Sequence, residues 1–112
     1  MAAAEPAAAG TDVFRLAAQG DGALAACGPL TFAGARAARR LGLQALTRAT
    51  REALQIDCAQ VTAADSAGLA VLLDWLAVAK RSGRSLRFAH LPEGLLALGR
   101  ISEVEQLLTR GV

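Results

Sequence analysis

One apolar run dominates the chain: residues 66–79 read S-A-G-L-A-V-L-L-D-W-L-A-V-A, interrupted only by Asp74 near the middle. A membrane-spanning helix needs about 20 predominantly apolar residues, and an Asp at its centre opposes insertion by about 3 kcal/mol. The run is therefore predicted to be a helix buried inside a water-soluble domain, and the rest of the chain must supply the surfaces that cover it. At 100° per residue, Leu69, Leu72, Leu73 and Leu76 share one arc and are expected to face a sheet. Val71, Asp74 and Val78 fall roughly opposite, with Trp75 on the flank. Neighbouring helices cover Val71, or it joins Trp75 in an exposed patch that a partner buries; a lone Trp is more often core.

The 112 residues are one domain's worth of chain. They are 54% hydrophobic but only 4% aromatic, with 27 Ala and 18 Leu. The core must then be Leu, Val and Ala, with Phe14, Phe32, Phe88 and Trp75 as its large pieces. A domain of this size buries roughly two-thirds of its unfolded surface, enough to fold without a metal or disulfide. The net charge is only +2, from eleven Arg and one Lys against ten acids. No basic run exceeds two residues and there is no Tyr, which argues against a nucleic-acid surface. Residues 1–10 hold no Lys or Arg, include Glu5 and Pro6, and do not read as a secretory signal. A disordered Ala-rich tail is expected over residues 1–11, with the folded domain over 12–112. Cys27 and Cys58 are then expected as reduced thiols in a cytoplasmic protein, and two thiols without further ligands are no zinc site.

Residues 13–18 alternate weakly as a strand, and residues 19–22 (Q-G-D-G) have hairpin-turn chemistry. A second strand is expected over 23–27, ending at Gly28-Pro29. Thr31 is placed as the N-cap of a helix over 32–49, with Ala38, Leu41 and Ala45 on its inner side. Arg36, Arg39 and Arg40 lie off that side, as a solvated face or a surface for an acidic partner. Residues 54–58 alternate as a strand, and 61–65 connect it to the apolar helix over 66–81. Gly83 closes that helix after Lys80 and Arg81. A strand over 86–90, a short helix from Leu91-Pro92 through Leu98, and a last helix with a capping box at residues 102–105 complete the chain. The order β-β-α-β-α-β-α-α gives an α/β (α+β) fold, a mixed sheet of four to five strands with helices mostly on one face.

The densest signal is the strand–turn–helix passage Asp57-Cys58-Ala59-Gln60-Val61, then Asp65-Ser66-Ala67-Gly68-Leu69-Ala70. Ser66 or Asp65 can cap the free N–H groups of the helix start, and an open helix start can receive a partner's carbonyl or an anion. Gly68 in the first turn costs up to about 1 kcal/mol against Ala, so it makes sense only if something approaches closely there.

This passage resembles the signature of STAS domains, the fold of anti-sigma factor antagonists, and the resemblance runs from about Val13 to Leu108. Residues 67–73, 85–88 and 95–102 most resemble the MlaB-type branch, the cytoplasmic STAS subunit of a phospholipid-transporting ABC complex. In phospho-regulated antagonists the acceptor hydroxyl directly precedes the Gly; here that residue is Ala67, which has no hydroxyl to phosphorylate. The hydroxyl stands one place earlier, at Ser66, where MlaB-like proteins carry the Thr or Ser used to contact the ATPase.

The resemblance implies a non-enzymatic subunit that docks on an MlaF-like ABC-transporter ATPase, and through it on an inner-membrane permease, in maintaining outer-membrane lipid asymmetry. The implied docking residues are Thr31, Phe32, Asp65, Ser66, Ala67, Gly68 and Ala70, with no cofactor and no metal. The alternative is an anti-sigma factor antagonist or a related signalling scaffold. More remote is a small serine hydrolase built on Ser66: Ala64-Asp65-Ser66-Ala67-Gly68 lacks the first Gly of the nucleophile elbow. His90 is the only histidine, and Asp74, the only acid between Ser66 and it, is expected in mid-helix. Asp57 is expected to cap the loop after its strand. There is no phosphate-binding glycine loop.

Overall fold

The computed structural model describes residues 13–112, and the tail expected over 1–11 lies outside them. Strands β1 (Arg15–Gly20) and β2 (Ala23–Leu30) form a hairpin whose turn includes Gly22 at a φ of 74°. A short 3-10 turn (Phe32–Gly34) leads into helix α1 (Ala35–Arg48). Strand β3 (Ala53–Ala64), helix α2 (Ser66–Arg81), strand β4 (Ser85–Ala89), and helices α3 (Glu93–Ile101) and α4 (Glu105–Arg110) follow. The sheet order is β1-β2-β3-β4, antiparallel in the hairpin and parallel thereafter. This is the expected element order and the expected mixed sheet.

Period-2 alternation sets the two faces of the sheet. Leu54, Ile56 and Cys58 of β3 are buried beside Leu86 and Phe88 of β4, while Gln55 and Arg87 between them are exposed. The helices cover the first face. Trp75 is fully buried at their centre, its ring 6.1 Å from that of Phe14 and its Nε1–H donating to the Arg39 carbonyl at 3.2 Å. Gly42 of α1 lies directly under the indole, where any Cβ would overlap the ring.

Several boundaries differ from expectation. The passage 59–64, expected in part as a loop, continues β3: it holds no turn-forming residue, and β2 runs on through Gly28-Pro29 to pair Leu30 with Ala64. Cys58 and Asp57 therefore sit within a strand, not at its end. Thr31 precedes the 3-10 turn without a side-chain cap. The inner row of α1 is Ala38, Gly42 and Leu46, with Leu41 and Ala45 half-buried. On α2, Val71 and Trp75 are buried, Trp75 against Arg39 and Gly42 of α1, and Leu73 is only half-buried. The capping box at 102–105 does not form; Ser102 ends α3, Glu103 turns the chain at a φ of 61°, and Val104 precedes α4 with no side-chain cap. Gly83 closes α2 as expected, at a φ of 73°. Among the described residues no helix is long and apolar enough to cross a membrane.

Candidate functional site

The parallel crossovers bring two helix starts to the same end of the molecule. Asp65 meets Phe32, Asp74 meets Arg39, and Trp75 meets Arg39 and Gly42, so α1 and α2 run side by side in the same direction. One carboxylate ties the starts together. Oδ1 of Asp65 accepts the Gly68 N–H and Oδ2 accepts the Phe32 N–H, each at 3.0 Å. These two N–H groups, Phe32 first, hold the Asp65 carboxyl below its ordinary pKa. Asp65 is thus the cap, and the Ser66 side chain is left exposed on the first turn of α2.

The other expected docking residues divide. Phe32, expected in the core, is 81% exposed, the most exposed large apolar side chain among the described residues. It stands beside the α2 start because its N–H is fixed to Asp65. Ala70 is exposed, and Thr31 and Ala67 are half-buried. Gly68 is buried, and what approaches it is the Leu30 carbonyl of this chain, which a Cβ would overlap. Its lack of a side chain lets α2 sit down on the end of β2.

An apolar groove of roughly 570 Å³ runs between the helices from Phe32. Ala35, Arg36 and Arg39 line it from α1, and Ala67, Ala70, Val71 and Asp74 from α2. The α2 set is a stripe at i, i+3, i+4 and i+7, and that spacing is the sequence signal that marks it. Arg39 and Asp74 form an ion pair across it.

Asp57 and His90 form a second polar cluster. Oδ1 of Asp57 accepts the Ala59 N–H at 2.9 Å and lies 3.0 Å from His90 Nδ1. The Ala59 N–H, and then the His90 hydrogen bond, lower the Asp57 pKa. His90 leaves β4 at a φ of 56°, which carries its ring back to β3, a reach that spacing does not foretell. Its partner is Asp57 and not Ser66. Among the described residues no cluster of three His, Cys, Asp or Glu side chains could hold a metal. Both thiols are free; burial, and then the Asp57 charge, push Cys58 up to about 12.

The four-stranded mixed sheet with its helix layer and exposed α2 start define an anti-sigma-factor-antagonist-like architecture. The solved structure of the anti-sigma factor antagonist SpoIIAA in its unphosphorylated form superposes with a TM-score of 0.60. It is 12% identical, over 87% of this chain and 84% of that one, so the likeness is one of fold. No curated protein shows significant sequence similarity. A family model described as "Mlab, STAS domain" matches residues 14–109, and the chain belongs to that family.

Proposed function

We propose that the chain is a non-enzymatic STAS subunit that docks on the ATPase of a phospholipid-transporting ABC complex. In this reading it supports that ATPase in maintaining outer-membrane lipid asymmetry, and it is cytoplasmic, peripheral to the inner membrane through its partner. The observation that carries the proposal is the exposed Ser66 on the first turn of α2, freed of capping duty by Asp65, in a chain of the Mlab, STAS domain family. Ser66 hydrogen-bonds the partner, Phe32 and Ala70 pack against it, and Thr31 and Ala67 border the contact. Asp65 holds the two helix starts in place for it.

Catalysis is assigned to the partner, because His90 is engaged with Asp57, away from Ser66. Co-expression with the ATPase tests the reading. Ser66→Arg is expected to abolish co-purification while leaving the circular dichroism spectrum and melting point near wild type; full recovery of the complex contradicts it. The exposed Ser66 hydroxyl also fits a signalling scaffold that binds an anti-sigma kinase. Binding to such a kinase, and none to an ABC ATPase, decides for that second reading.

A further inference from the structure

We infer that the groove between α1 and α2 seats an acidic amphipathic helix of the docking partner, with one large apolar side chain in the groove and a carboxylate on Arg36. The inference rests on the docking reading above and specifies the chemistry of what docks.

The groove's length comes from α2: Ala67 and Asp74 stand seven steps apart, about 10 Å of helix, which matches two turns of a partner helix laid along it. Its walls are small, since Ala35, Ala67, Ala70 and the 5%-exposed Val71 leave room where larger residues would have filled it. A large apolar side chain on the groove-facing side of the partner helix therefore meets carbon on both sides, and Phe32 covers it from the helix-start end.

Charge then selects the partner. Arg36 and Arg39 stand three residues apart on the α1 side, both exposed. Asp74, the acid lining the groove, is paired through the Nε of Arg39. A basic segment would have to break that pair to find an anion. An acidic one finds Arg36, which makes no ion pair among the described residues, without breaking anything. A guanidinium also suits a carboxylate geometrically, through two parallel N–H donors.

The test measures affinity of the full chain for the ATPase at low and at high salt, for wild type, Arg36→Glu, Ala70→Trp, Phe32→Ser and Ser66→Arg. All four positions are exposed. Arg36→Glu is expected to weaken binding by about tenfold or more at low salt, with most of that loss gone at high salt. Ala70→Trp, which fills the groove, is expected to abolish binding, and Phe32→Ser to weaken it at both salt concentrations. If Ser66→Arg breaks the complex while Arg36→Glu and Ala70→Trp bind as wild type, the groove is not the seat; docking through Ser66 stands, without the Ala70 contact. If Ser66→Arg also binds as wild type, both fall. Tighter binding by Arg36→Glu means a basic occupant and overturns the inference. So does concentration-dependent self-association of the chain alone that Ala70→Trp removes, since the occupant is then a second copy.

Discussion

Asp65 shows how one short side chain organises the proposed surface. With Ser66 as the cap, its hydroxyl would face the N–H groups of its own helix; with Asp65 as the cap, it faces outward. The same carboxylate fixes Phe32, so the polar and apolar members of the surface are positioned by one group. Its pKa lies below the ordinary carboxyl value, so the stability it contributes is full above the unfolded pKa and is lost as pH falls through the folded one. Wild-type stability is therefore expected to decline below about pH 4. Asp65→Asn should flatten that decline in denaturant titrations across the acid range. It should not remove it, because Asp57 is shifted in the same direction. An unchanged slope in Asp65→Asn contradicts the assignment. The sequence marked Asp65 and Ser66 as a pair of possible caps, but the choice between them depends on Phe32 arriving from thirty-three residues away.

The elements were legible where local chemistry decides them. Helix α2 begins at its polar cap and ends at Gly83, and both are written in adjacent residues. Strand β3 was not legible in full, because its second half is held by pairing with β2 and not by its own alternation. The expected capping box fails for a local reason: the S-x-x-E spacing is present, but Ser102 closes α3 with its N–H on the Leu98 carbonyl, and Glu103 turns the chain at a positive φ before α4. Burial of Trp75 depends on Gly42, and neither residue announces the other in sequence. Gly42→Ala must force the indole or α1 to move, and overpacking of this kind typically costs about 1–3 kcal/mol. The expected observation is a lower denaturant midpoint with an unchanged m-value. A midpoint equal to wild type contradicts the close packing of α1 on α2.

At the scale of the molecule, the helix layer covers one face of the sheet and leaves the other open, which separates a buried thiol from a half-buried one. Cys58 lies in the core with its pKa pushed up to about 12, and only the thiolate reacts with alkylating reagents. Near neutral pH the folded protein is expected to alkylate at Cys27 ahead of Cys58, with Cys58 modified only as fast as the core opens. Denaturant should equalise the two. Equal rates in the native protein would mean that the helix layer does not seal the sheet.

The same two-faced construction determines where a partner can be met, and a photo-reactive phenylalanine analogue at position 32 tests this most directly, with a photo-reactive side chain at position 55 on the open sheet face as its counterpart. Both positions are exposed. In the proposed complex with the ATPase, position 32 should cross-link to it and position 55 should not. Cross-linking from position 55 with none from position 32 would place the partner on the sheet and contradict docking at the start of α2.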